Sequence, residues 1–201
     1  MAEYTHVGPG LPPLHGARAN ALILGSFPSP KSREQGFFYG HKQNRFWPMI
    51  AAVTGEPVPD WADIEAKKAI ILKHGLAVWD TIGACDIKGA SDASIRNAVP
   101  NDVAALIQKL GVRAVFCNGA ASGRIYAKYA EPLTHLPAAV LPSTSPANAA
   151  WSPARLQAAW DAALAPFLRA DGCKTPVGAD SISARRQPGT ERADMESAPT
   201  E

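Results

Sequence analysis

The sequence predicts an α/β fold, a single domain built on a four-stranded parallel sheet flanked by helices. Three observations predict it. Short apolar runs alternate with longer segments of helical periodicity. The most telling runs stop at polar turns, Gly25-Ser26-Phe27-Pro28-Ser29 after the first and Pro142-Ser143-Thr144-Ser145 after the last. The chain has 201 residues, enough for one domain with a full core.

Residues 1–20 are rich in Gly and Pro and read as an irregular lead-in. Ala21 to Gly25 is the first strand, and a long loop follows to Gln43. Phe46-Trp47-Pro48-Met49-Ile50-Ala51-Ala52-Val53 reads as a buried helix that runs to about Thr54. Gly55 to Pro59 is a turn. Trp61 to His74 is an amphipathic helix with Trp61, Ile64, Ala69, Ile71 and Leu72 as core positions, closed by Gly75. Leu76 to Trp79 is the second strand, and Thr81 to Asn97 a second long polar loop. A helix spans Pro100 to Leu110 and stops at Gly111, which leads to a third strand, Val112 to Cys117. Ala120 to Tyr129 is helical and Ala138 to Leu141 is the fourth strand. The last helix takes Ser152 as N-cap and Pro153 at its first position, and runs to about Arg169. The domain is thus expected over residues 1–170. Residues 171–201 are poor in large apolar side chains and are expected to form a disordered tail.

Composition excludes several classes. Hydrophobic residues make up 46% of the chain, which is ordinary for a globular protein. No run approaches the ~20 apolar residues of a membrane span, and Met1 to Asn20 lacks the order of a secretion signal. A cytoplasmic monomer is expected. Cys85, Cys117 and Cys173 are widely spaced, with no CxxC or Cys/His cluster, so no disulfide framework and no metal site is expected. Net charge is +2, but the tail carries four basic and six acidic residues, which leaves the body to Ala170 at +4. Lys31, Arg33, Lys42 and Arg45 stand against Glu34 alone, a local basic patch usable for phosphates.

The most informative stretch is His41-Lys42-Gln43-Asn44-Arg45-Phe46-Trp47, with Phe38 and Tyr39 just before it. It lies past the end of the first strand, where open α/β sheets bind ligands. Aromatics, cations and a placed amide suit a planar base on a phosphate backbone. The four strand ends put Phe27, Asp80, Asn118 and Ser143 on one rim of the sheet.

These residues carry a resemblance. Gly25-Ser26-Phe27-Pro28-Ser29, the Tyr39-to-Trp47 segment and Leu141-Pro142-Ser143-Thr144-Ser145 resemble the uracil-DNA glycosylase superfamily, most closely its hypoxanthine-DNA (deoxyinosine) glycosylase branch. Mismatch-specific uracil/thymine glycosylases share the His-x-x-Asn-Arg-Phe-Trp element. The similarity spans roughly Ala19 to Ala170. It implies water-mediated cleavage of the N-glycosidic bond of a flipped, deaminated base in DNA, without cofactor or metal. Uracil-type relatives carry a water-handling Asp or Asn where this chain has Phe27, and often His or Asn where it has Leu141. Both departures point away from ordinary uracil excision. The resemblance implies that Asn44 is the catalytic amide and Tyr39 the aromatic that stacks on the base. It also implies that Asp80 reads the base and that Ser143 and Ser145 pinch the backbone.

Extruding a base costs a few kcal/mol. Arg33, Lys42 and Arg45 can hold phosphates, Pro146-Ala147-Asn148 can fill the gap, and stacking on Tyr39 can return roughly 1–3 kcal/mol. A carboxylate at Asp80 can accept from the N1–H of hypoxanthine while Asn118 donates to O6. Asp80 reads equally as a turn-stabilising carboxylate before Thr81, and Asn118 as a turn residue before Gly119. Asn44 can orient water or cap the helix that follows it. His41 is expected to be structural, and His6, His15, His74 and His135 lack a partner pattern. A uracil/thymine mismatch-specific DNA glycosylase is the alternative enzyme, and a non-catalytic nucleic-acid or nucleobase-binding domain is the alternative from another class.

Overall fold

The computed structural model describes residues 3–89 and 91–168. The expected tail, 171–201, lies outside the described residues. The elements run β1 (Thr5–Val7), β2 (Ala21–Gly25), α1 (Pro30–Gln35), α2 (Phe46–Thr54), α3 (Ile64–Lys73), β3 (Leu76–Asp80), β4 (Ile82–Ile87), β5 (Arg96–Pro100) and α4 (Val103–Leu110). They continue β6 (Ala114–Asn118), α5 (Ala120–Tyr129), α6 (Glu131–Thr134), β7 (Ala138–Leu141) and α7 (Pro153–Leu164).

The main sheet has four parallel strands in the order β3-β2-β6-β7. Strand alternation splits its side chains between two cores. Ala21, Ile23, Val78 and Phe116 face a layer made by α2, α3 and α7, with Phe46, Trp47, Ile50, Ile71 and Trp160 among its buried members. Leu22, Leu24, Ala77, Val115 and Cys117 face the opposite layer, where α4 supplies Val103, Leu106, Ile107 and Leu110 and α5 supplies Tyr126. Burial on both faces explains why β2 reads as an unbroken apolar run. The helix ends are fixed by local chemistry. Asp63 and Asp102 accept from the first turns of α3 and α4, Ser152 does so for α7, and Gly55 and Gly111 close α2 and α4 in the left-handed region.

The structure corrects several expectations. The stretch from Thr81 to Asn97 is not a loop. It holds β4 and the start of β5, and with β1 from the presumed irregular lead-in these form a three-stranded antiparallel sheet, β1-β4-β5. Few apolar anchors hold it down. Phe27, Ile82, Cys85 and Ile87 make its buried cluster, while β5 is almost wholly exposed. The loop before Gln43 contains α1, and the helix expected from Pro100 begins at Val103 because Arg96–Pro100 is strand. The face expected for α3 is rotated. Lys67, Ile70 and Ile71 are buried, whereas Trp61, Ala69 and Leu72 are exposed. Lys67, 1% exposed, is accommodated because its ammonium donates to the Trp61 carbonyl and lies over the Trp47 ring.

Candidate active site

The carboxyl ends of β2, β3 and β6 open into a cleft of about 520 Å³, a size that admits a small planar ligand. Its lining includes Gly25, Phe27, Tyr39, Asn44, Asp80, Asp92, Asn118, Ser143 and Thr144. The strand ends, the segment before α2 and the loop after β7 therefore meet in one place, as the rim argument expected.

The floor is set by backbone register. Gly25 pairs with Asp80 across the β2–β3 ladder, and a Cβ at Gly25 would lie 2.2 Å from Asp80 Oδ1 and 3.3 Å from the Tyr39 hydroxyl. Only hydrogen at position 25 lets both side chains lie over the strand end. Asp80 is 5% exposed and its Oδ2 has no hydrogen-bond partner. Burial, with the Asp92 carboxylate as a lesser cause, raises its pKa to about 7. The Thr81 hydroxyl donates to the Gly25 carbonyl.

Tyr39 forms one wall. Its backbone φ of 54° is in the left-handed region, uncommon for an aromatic residue, and its ring stacks on Phe46 at 3.8 Å between centroids. One face is thus covered and the ring lines the cleft. The hydroxyl is buried without a hydrogen-bond partner, and desolvation together with Asp80 pushes its pKa far up, so it stays protonated.

Asn44 sits at the head of α2. Its Oδ1 accepts from Phe46 N–H at 3.0 Å and from the Thr144 hydroxyl at 3.0 Å. It therefore does part of a cap's work while lining the cleft. With both lone pairs of that oxygen engaged, it has no acceptor left for water. The expectation that Asn44 orients water then rests on Nδ2 alone.

One expectation is corrected. Arg45 is not free for phosphate. Its guanidinium donates to the carbonyls of Ser145 at 3.0 Å and Asn148 at 2.9 Å, and also to those of Ser143 and Trp151. It fastens the loop after β7 to α2 from within. The Asn118 amide, expected to donate to O6, is held against Thr144 and keeps one N–H of Nδ2 beyond that pairing. Oδ1 accepts from Thr144 N–H at 2.9 Å and Nδ2 donates to Thr144 Oγ1 at 2.9 Å.

Phe27 lines the cleft, but it is buried with β4 side chains and anchors the antiparallel sheet. Ser143, Ser145, Ala147 and Asn148 line the cleft too. Ser143 Oγ accepts from Ser145 N–H, Ser145 Oγ from Ala147 N–H, and Asn148 donates to the Ser143 carbonyl, so the loop is internally braced. Pro146 and Ala147 stand exposed at its tip. Arg33 and Lys42 are not among the lining residues. Arg33 lies over the Phe27 ring and Lys42 over the Trp61 ring.

Sequence reasoning missed Thr144 and Asp92. Thr144 is wholly buried and joins Asn44 to Asn118. Asp92 comes from the β4–β5 connection, where Ser26 Oγ donates to its Oδ2 at 2.6 Å. The polar loop around Asp92 gave no local signal that it folds back over the strand ends.

Comparison with known proteins agrees with this geometry. The family model of the uracil DNA glycosylase superfamily matches residues 12–164. A hypoxanthine DNA glycosylase of Methanosarcina acetivorans is 32% identical over 158 residues, which span 76% of this chain and 95% of that protein. A hypoxanthine DNA glycosylase of Methanosarcina barkeri is 27% identical over 115 residues, 57% of this chain and 72% of that protein. A solution NMR structure from Methanosarcina acetivorans, assigned as a uracil DNA glycosylase, is similar with a TM-score of 0.64 and 26% identity over 79% of this chain and 98% of that one.

Proposed function

The chain belongs to the uracil DNA glycosylase superfamily, and from that premise we propose that hypoxanthine is the base it chiefly removes from DNA. It is a DNA glycosylase for deaminated bases, a hydrolase of N-glycosyl bonds that works on a flipped nucleotide.

The observation that carries the choice of base is the Asp80 carboxyl on the cleft floor, with its unpartnered Oδ2. A buried polar atom without a partner is the place for a ligand atom. In its ionised form Asp80 accepts from the N1–H that hypoxanthine has and adenine lacks, which separates the deaminated base from its parent. Relatives named for hypoxanthine support a purine over uracil. Tyr39, backed by Phe46, offers a face on which the extruded base stacks. Asn44 lines the cleft with Oδ1 engaged, which leaves Nδ2 as its group for the nucleotide. Lys42 and Arg33 remain for the phosphate backbone, and the Pro146–Ala147 tip for the gap left in the duplex. The full apparatus lies in one domain, which supports a monomer. Among the described residues no helix is long and apolar enough to cross a membrane, and a cytoplasmic site of action accords with a DNA substrate.

The test uses labelled duplexes with hypoxanthine, uracil, a thymine mismatch or xanthine, incubated with the protein and then treated with alkali. Cleavage chiefly of the hypoxanthine strand is expected. Cleavage chiefly of uracil or mismatch strands would move the assignment to those bases, and binding without cleavage would make the domain a binder.

A further inference from the structure

Two backbone N–H groups fix the direction of every hydrogen bond around Asn44. Thr144 N–H donates to Asn118 Oδ1, so Asn118 Nδ2 must be the donor to Thr144 Oγ1. The Thr144 hydroxyl then has one proton to give, and it gives it to Asn44 Oδ1. Phe46 N–H donates to that same oxygen. A carbonyl oxygen has two lone pairs, and both are taken. What Asn44 offers the cleft is therefore Nδ2, a donor and nothing else. An N–H aimed at water takes up one of its lone pairs, lowers its nucleophilicity and leaves its protons unclaimed. Aimed at the departing base, the same N–H stabilises charge that grows as the bond breaks.

Another group must accept from the water. Among the described residues that line the cleft the carboxylates are Asp80 and Asp92. Asp80 is buried on the floor against Gly25 and is the group that the proposed function assigns to the base edge. Asp92 is accessible in the cleft wall, and the Ser26 hydroxyl occupies only its Oδ2, which leaves Oδ1 free. Phe27 cannot compete for the role, since it is an apolar side chain committed to the core beneath β4.

We propose that Asp92 is the acceptor that orients the attacking water and takes its proton, and that Asn44 is the donor to the departing base. The proposal rests on the glycosylase reading above. In the step it describes, the water oxygen bonds to the sugar C1′ as the C1′–N9 bond breaks. The bonding pair leaves with the purine, whose charge Asn44 Nδ2–H stabilises. One water proton passes to Asp92 and on to solvent, and the base takes one proton from solvent. Facing Asp92 are Asp80 at the end of β3, Arg124 on α5, Cys85 on β4 and the Tyr39 hydroxyl. Desolvation by the cleft walls raises the pKa of Asp92 despite the Ser26 bond and Arg124, which strengthens it as a base.

The test is single-turnover release of hypoxanthine from duplex DNA by the full chain, as a function of pH. Asp92→Asn keeps shape and an acceptor for Ser26. It should lose about 10²-fold or more in rate and lose the limb of the profile that rises with pH. Its melting point, and its binding of a duplex with 2′-fluorinated deoxyinosine, should stay at the wild-type values. Ser26→Ala should slow release less and retain that limb. Asn44→Asp provides an acceptor in place of the donor and should slow release. A rate for Asp92→Asn within about threefold of wild type would overturn the role of Asp92. A rate for Asn44→Asp at or above wild type would overturn the role of Asn44. No hypoxanthine release by the wild-type protein would instead overturn the choice of base, and with it the step described.

Discussion

Asp80 lies directly over Gly25. The two are register partners at the ends of β3 and β2, and the carboxylate occupies the space a Gly25 side chain would fill. Gly25→Ala forces Asp80 out of its place on the cleft floor. A loss of about 1–3 kcal/mol in stability and a fall in hypoxanthine release are expected. In an Asp80→Ala background the same change should cost markedly less stability, because the clash is gone. Equal costs in the two backgrounds, read from urea melts, would show that the pair is not in contact.

The raised pKa of Asp80 makes stability depend on pH. The native carboxyl titrates at about 7 rather than 3.8, so between these values the native state keeps a proton that the unfolded chain has released. Stability therefore falls as pH rises from about 4 to about 7, and levels off above. The effect is on the order of 4 kcal/mol at most. Asp80→Asn should flatten that slope and be relatively stabilising at pH 8. It should also raise uracil excision relative to hypoxanthine, because an amide serves either base without a charge. Melting curves across pH, and a two-substrate rate ratio, check both statements.

Tyr39→Ala should weaken engagement of the damaged base by the stacking contribution, ~1–3 kcal/mol. Tyr39→Phe should be mild, since the hydroxyl it removes is buried without a partner. Affinity for a duplex with an uncleavable deoxyinosine reads this directly. If both variants match wild type, the base does not stack there.

Arg45→Ala separates a brace from a phosphate contact. It removes the guanidinium that ties together four carbonyls of the loop after β7, which should lower the melting point clearly and slow base release. The salt dependence of DNA binding should keep its slope. A fall of about 0.9 in that slope would instead mean a lost phosphate contact. Lys42→Ala should show the reverse pattern, a smaller slope with little loss of stability.

Asn44→Ala should reduce single-turnover base release by about 10²-fold or more. The Phe46 N–H and the Thr144 hydroxyl lose their shared acceptor, so about 1 kcal/mol of stability should go as well. A lower melting point with a near-normal rate would reduce Asn44 to a cap.

The sequence by itself determined the parallel sheet, its flanking helices and the meeting of three motifs at one sheet edge. Those features follow from local signals. Ala21 to Gly25 is apolar at every position because both its faces are covered, and Ser152-Pro153 and Gly111 carry their meaning in their own backbone chemistry. The resemblance to a glycosylase family lay in contiguous segments, so it too was legible. Tertiary structure alone decided the antiparallel sheet, because β1, β4 and β5 are held by distant pairing and a few side chains such as Phe27. It also decided what each polar residue is free to do. Arg45 looked available in the sequence, yet its terminal nitrogens donate to the loop after β7, and Asn118 commits its carbonyl oxygen and one N–H to Thr144 of that loop. Asp92 lay unremarked in a stretch that read as polar loop, yet the β4–β5 connection carries it into the cleft beside Ser26. A sequence names the groups a chain carries. Which lone pairs and protons stay unspent depends on partners as much as a hundred residues away, and only the folded chain brings those together.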